Sequence, residues 1–241
     1  MDERLQASEV VVCAILSRPP VTGEYTFETA HGPLTARRYS AHATRGTLVL
    51  AHGAGAGQQH PFMRDAAAAF AAAGFETITF DFPYMENGRR VPDAGPVLEA
   101  AFAAVAAECC ARWINGRGYF VGGKSMGGRI ASQAMARGLF ERAPAGLVFL
   151  GYPLHPPQRP EKRRDAHLAS ITTPMLFVHG TRDPFGSPDE MRALIARLPS
   201  ATLALIEHGG HSFEAPKRDG GDQRAAAFAA AISWMNETIS S

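Results

Sequence analysis

The sequence predicts an α/β protein, with a mostly parallel central sheet covered by helices on both faces. Three observations carry this. Short apolar runs alternate with longer alanine-rich segments along the 241 residues. The runs TLVLAH, ETITFDF, GYFVGG, GLVFLGYP, MLFVHG and ATLALIE are continuously apolar, as strands buried on both faces must be. The segments between them begin and end on residues that start and stop helices.

Taken in order, the first apolar stretch is VVVCAIL. It follows the acidic MDERLQASE and lacks the basic flank of a secretory signal, and no stretch is long enough to span a bilayer. A soluble, cytoplasmic chain is the expectation. EYTFETA and PLTARRYS alternate apolar and polar residues around a turn-like HG, which predicts an antiparallel hairpin on one sheet edge. Pro61 opens a helix that Gly74 closes, and Pro96 opens another that ends near Asn115 and Gly116. In SPDE, Ser187 caps a helix, Pro188 takes its first position and Glu190 completes a capping box. DAAAAFAAAGF and RAAAFAAAISWM read as covering helices, because alanine favours helix and lets it lie close to a sheet. No repeat or linker-like stretch interrupts this pattern, so residues 1–241 are expected to form a single domain.

Composition narrows the function. Lys plus Arg number 24 against 23 Asp plus Glu, so no net field draws the chain to nucleic acid or an anionic membrane. A small molecule is the expected partner; composition leaves the oligomeric state open. Cys13, Cys109 and Cys110 are odd in number, and the last two are neighbours in a helical stretch, which argues against a disulfide framework and fits a reducing compartment.

GYFVGGKSMGGR, residues 118–129, fits two signatures. From Gly118 it satisfies the phosphate-loop pattern with Lys124 and Ser125; from Gly123 it is G-x-S-x-G, with Ser125 as a nucleophile on a strand-to-helix elbow. A phosphate loop needs its strand before the first glycine, yet the apolar YFV falls inside the would-be loop. The elbow has its strand in the right place and a helix starting near Met126.

A serine needs a base to take its proton, and that base needs an orienting acid. Asp183 follows MLFVHG and His211 follows ATLALIE, giving the order Ser, acid, His, each beyond a strand end. His208 is the alternative base. Asp81 precedes the serine, and Asp189 is explained by its capping box. LVLAHGAGAG supplies a loop whose backbone can face a developing oxyanion, with Ala54 as one donor, Gly55 next to it, and Met126 as the other. His52 is expected to fix this loop. The machinery calls for no metal and no organic cofactor.

With LAHGAGAG, FDFPYM, GGKSMGGRIAS, GYPLHPP, RDPFG and HSF in place, the chain resembles the α/β-hydrolases of the dienelactone-hydrolase-like superfamily. It is most similar to the branch related to testis-expressed protein thirty. The resemblance implies the α/β-hydrolase fold and assigns Ser125, Asp183 and His211 as nucleophile, acid and base. Dienelactone hydrolases use cysteine as nucleophile, so Ser125 departs from them and leaves the substrate open. Relatives in that branch include a chromatin-complex subunit, so a catalytically silent binding or scaffold protein stands as the alternative. In this architecture a lid is inserted between GLVFLGYP and MLFVHG, and the short gap here predicts a minimal cap or none. Gly55, Lys124, Tyr84 and His155 are candidate substrate contacts, with Arg129 and the charged loop 159–165 nearby and Met85 beside Tyr84.

Overall fold

The predicted hairpin forms strands β1 (Gly23–Thr29) and β2 (Gly32–Tyr39), antiparallel and in register from Gly23 opposite Arg38 to Thr29 opposite Gly32. A computed structural model describes residues 21–114 and 118–240. VVVCAIL with Cys13, and the expected helix end at Asn115 and Gly116, lie outside the described residues.

Six further strands follow: β3 (Gly46–Ala51), β4 (Phe75–Phe80), β5 (Tyr119–Lys124), β6 (Gly146–Leu150), β7 (Met175–Gly180) and β8 (Ala201–Ile206). They join the hairpin in one sheet of order β1-β2-β4-β3-β5-β6-β7-β8, parallel from β4 to β8 with β2 antiparallel to β4. Every residue of β3 to β7 is buried, which is why those runs are mostly apolar, with Glu76 and Lys124 as buried charges among them. Alternation nonetheless persists: Leu48, Phe120, Val148 and Leu176 point to one face, Val49, Val121, Leu147 and Phe177 to the other. Strand β8 departs from the continuous-burial expectation, since as the far edge it is only partly covered.

Helix α1 (Pro61–Ala72) starts at Pro61, and Gly74 follows its end with φ 95°. The short α2 (Pro83–Glu86) comes next, then α3 (Gly95–Arg112), which holds Pro96 in its first turn. Helices α4 (Met126–Ala136), α5 (Pro188–Ile195) and α6 (Arg224–Ser240) complete the layers. Both hydrogen bonds of the capping box are present at the start of α5. The alanine-rich α1 and α6 bury Ala66, Ala69, Ala227 and Ala231 on one sheet face, while α3, α4 and α5 cover the other. Residues 151–174 between β6 and β7 carry one short 3-10 helix, Ala166–Ser170, and no lid. Among the described residues no helix is long and apolar enough to cross a membrane. Cys109 is buried in α3 and Cys110 half-buried beside it, both as free thiols.

Strand order reverses around β3, whose neighbours β4 and β5 lie on opposite sides. In open α/β sheets, ligands bind in the crevice outside the strand carboxyl ends at such a point.

Candidate active site

Ser125 stands where β5 ends and α4 begins, with φ 51° and ψ −114°. A non-glycine residue there costs about 1–3 kcal/mol and is held by its surroundings. The glycines two residues away make the turn possible. A Cβ on Gly127 would lie 2.4 Å from the Ala51 carbonyl oxygen, and one on Gly123 2.5 Å from the same atom. Only glycine allows α4 to press this closely on β3. Strand β5 runs unbroken from Tyr119 to Lys124, so no irregular backbone is left to wrap a phosphate.

The three predicted side chains meet at this edge. Ser125 Oγ lies 2.8 Å from His211 Nε2, and His211 Nδ1 lies 2.8 Å from Asp183 Oδ2. Asp183 sits just beyond β7, and His211 on the loop after β8. The other Asp183 oxygen, Oδ1, accepts the Phe185 backbone N–H at 2.9 Å. Burial alone would push this carboxyl up, but hydrogen bonding to His211 and its charge outweigh that and hold it below the usual carboxylate range. An acceptor-only carboxylate at Nδ1 fixes the imidazole with its proton there and leaves the Nε2 lone pair facing the serine.

Two supports were not foreseen. Phe185 lies against the His211 ring, with centroids 4.2 Å apart and planes tilted 31°. Its only sequence signal was its place two residues after the acid. Lys124 was expected to meet substrate; it borders the cavity but is almost fully buried, and its Nζ donates to the His211 carbonyl oxygen at 2.8 Å. Its ammonium also stands 5.6 Å above the Phe62 ring. Burial pushes its pKa down to about 8.

The glycine-rich loop after β3 borders the same cavity, and Ala54 lines it together with Met126. As the first residue of α4, Met126 has a backbone N–H without an intrahelical acceptor. His52, fully buried, ties the loop down. Its Nε2 accepts the Phe82 N–H at 3.0 Å, so its Nδ1 carries the proton and donates to the Gly53 carbonyl at 2.8 Å. Burial lowers its pKa, favouring the neutral ring these bonds require. Asp81 accepts the Gln58 N–H at 2.7 Å and serves this loop.

Three expected substrate contacts lie elsewhere. Tyr84 is fully buried in the core, because Pro83 starts α2 and turns the ring beneath His52, 5.9 Å away. Met85 packs at the margin of that core, outside the cavity lining. Gly55, with φ 74°, is on the solvent side of its turn and outside the cavity lining. His155 is buried, and its Nε2 reaches Glu190 of the capping box at 3.2 Å. His208, the alternative base, lies at the surface with its Nδ1 3.3 Å from Arg182.

Ser125 and His211 open onto a cavity of about 550 Å³ at the carboxyl edge of the sheet. Phe62, Met63 and Leu98 give it apolar wall, and Arg129 and Arg164 give it charge. Sequence alone places Arg164 only within the charged loop 159–165.

The comparisons agree with this architecture. A lidless α/β serine hydrolase from Xanthomonas campestris superposes with a TM-score of 0.68 at 19% identity, covering 88% of this chain and 94% of that one. A dienelactone hydrolase from Anabaena variabilis gives 0.69 at 20% identity, covering 89% and 97%. At these identities the likeness is one of fold. Among curated proteins, rhodomycin D methylesterase DauP from Streptomyces sp. (strain C5) is 41% identical over 54 residues, which span 22% of this chain and 18% of that enzyme. The model of the alpha/beta hydrolase domain matches residues 44–240, which hold six of the eight strands and every residue of the site. The chain belongs to the alpha/beta hydrolase domain family.

Proposed function

We propose that the chain is a serine hydrolase that cleaves an acyl ester of a small molecule through an acyl-enzyme. The single observation that carries this is the unbroken line from Asp183 through His211 to Ser125, with both contacts at 2.8 Å, ending at a cavity. Ser125 Oγ attacks the acyl carbon while His211 Nε2 takes its proton. The backbone N–H groups of Ala54 and Met126 hold the oxyanion. His211 then gives the proton to the leaving alcohol, and a water molecule, deprotonated by the same nitrogen, releases the acid. Asp183 keeps the imidazole oriented and stabilises its charged form. The methylesterase among the relatives supports an ester as the bond cleaved. GGKSMGGR and GYPLHPP support the branch related to testis-expressed protein thirty as the closer kin.

A fluorophosphonate probe tests this reading. Wild type should be labelled and should hydrolyse p-nitrophenyl butyrate, and Ser125→Ala should lose labelling and about a millionfold in kcat. Labelling that survives Ser125→Ala would overturn the nucleophile assignment. Absence of both labelling and turnover in wild type would leave the binding or scaffold role.

A further inference from the structure

The cavity wall carries two guanidiniums, Arg129 and Arg164, that form no ion pair with a carboxylate among the described residues. Arg129 follows Ser125 by one helical turn, its backbone N–H bonded to the Ser125 carbonyl at 3.2 Å. Arg164 comes from the β6–β7 connection and lines the same cavity. Three nearby carboxylates pair with other arginines, although Asp93 keeps its second oxygen buried and without a hydrogen-bond partner among the described residues. Asp165 is 2.6 Å from Arg163 and 3.3 Å from Arg197; Glu99 is 3.0 Å from Arg137; Asp93, also on the cavity wall, is 2.6 Å from Arg89. What Arg129 does find is the amide oxygen of Gln133 at 2.9 Å, and its Nε is buried with no acceptor. The two guanidiniums stand close enough that, after burial, the charge of Arg164 is the largest influence disfavouring the charge of Arg129. Lys124, the remaining cation of the wall, has its ammonium directed at the His211 carbonyl.

The backbone from which each side chain springs is held in place. Arg164 is held on both sides of its peptide unit, its N–H donating to the Leu154 carbonyl at 2.8 Å and its carbonyl accepting the hydroxyl of fully buried Tyr152 at 2.7 Å. The Arg129 carbonyl accepts the Ser132 hydroxyl at 2.7 Å. A fixed, partly dehydrated pair of like charges is unfavourable alone and becomes favourable when an anion binds between them. Guanidinium forks match a carboxylate in geometry, and charge-assisted hydrogen bonds are the strong ones.

We infer that Arg129 and Arg164 form an anion-binding subsite, and that the substrate is an ester bearing a second, ionised carboxylate. This rests on the serine-hydrolase reading above and names the substrate class of that site. Water is consumed, the ester becomes acid plus alcohol, and the second carboxylate leaves unchanged.

The test uses two pairs of esters of matched leaving group and shape. In one, p-nitrophenyl hemiglutarate against p-nitrophenyl valerate, the anion is on the acyl side; in the other, 4-carboxyphenyl butyrate against 4-acetylphenyl butyrate, it is on the alcohol side. Wild type should favour the anionic member of at least one pair by about tenfold to a hundredfold in kcat/KM. Arg164→Met should reduce that ratio by about tenfold. Lys162→Met, which removes an exposed charge from the same loop outside the cavity, should keep the wild-type ratio. No preference in either pair, or an equal fall in Lys162→Met and Arg164→Met, overturns the subsite while leaving the hydrolase reading intact. Turnover of none of the four esters, together with no labelling of Ser125, defeats the hydrolase reading instead.

Discussion

Helix α4 brings two serines against two histidines at the same distance: Ser125 Oγ to His211 Nε2 and Ser132 Oγ to His167 Nε2, each 2.8 Å. Their surroundings differ. Ser125 sits at a strained turn facing a cavity, whereas Ser132 is inside the helix and fully buried. His211 has a carboxylate behind its other nitrogen. His167 has no hydrogen bond to a carboxylate among the described residues, and burial, then the charge of Arg129, push its pKa down to about 4. The proton also runs the other way. Ser132 gives its one hydrogen to the Arg129 carbonyl, so it accepts from His167, whose Nε2 must carry the proton. A short serine–histidine contact therefore defines a nucleophile and base only when an acid sets the tautomer and the serine opens on a space that a substrate can enter.

The sharpest way to break this comparison is to take the acid from the first pair. In Asp183→Asn the side-chain amide can donate to Nδ1, which favours the tautomer with its proton on Nε2 and makes His211 resemble His167. kcat for p-nitrophenyl butyrate should fall about ten-thousandfold, and labelling of Ser125 should slow in parallel. Activity within tenfold of wild type would mean that the acid does not set the tautomer.

Lys124 sharpens the comparison next, since only the first pair has a cation bonded to its histidine's backbone. Lys124→Met should lower kcat by about tenfold to a hundredfold as the His211 loop loses its anchor. The stability signature is more specific. The native ammonium deprotonates near pH 8, well below its value of 10.5 in the unfolded chain. Below the folded value the buried charge carries its full penalty. As pH rises from 8 towards 10.5, the native state sheds a proton that the unfolded state keeps, and the penalty is relieved. Wild type should therefore gain on the order of 3 kcal/mol relative to Lys124→Met across that window, measured by urea unfolding. A constant difference between the two proteins would show that the amine is not held charged and buried at neutral pH.

The two pairs also mark how far the sequence alone could be read. Apolar runs long enough to be buried on both faces announced β3 to β7, and Gly123 and Gly127 announced the elbow, because close approach of α4 to β3 admits no other residue. The order Ser125, Asp183, His211, each beyond the end of a strand, was likewise visible, since strand ends are where an α/β sheet exposes its residues. Side-chain direction within loops was not. Arg164 is indistinguishable in sequence from Lys162 and Arg163, yet Arg163 is paired with Asp165 while Arg164 faces the cavity, a difference set by the Leu154 and Tyr152 contacts to its backbone. Tyr84 follows a strand end as Ser125 does, but Pro83 turns it into the core. His155 is drawn off by Glu190, a residue whose capping role was readable while its second partner was not.

The smallest effect tests the second pair itself. Ser132→Ala removes a hydroxyl that bonds the Arg129 carbonyl and His167 in a fully buried position. One neutral hydrogen bond contributes about 1 kcal/mol, and a buried partner left unsatisfied adds to the loss, so Ser132→Ala should be destabilised by about 1–3 kcal/mol. Turnover of p-nitrophenyl butyrate should stay within about twofold of wild type, because no proton of the reaction passes through Ser132 and the carbonyl it holds belongs to a helix that β5 and the elbow already position. If Ser132→Ala lost activity on the scale of Asp183→Asn at unchanged stability, the buried pair would be acting in the chemistry, and the contrast drawn between the two serines would fail.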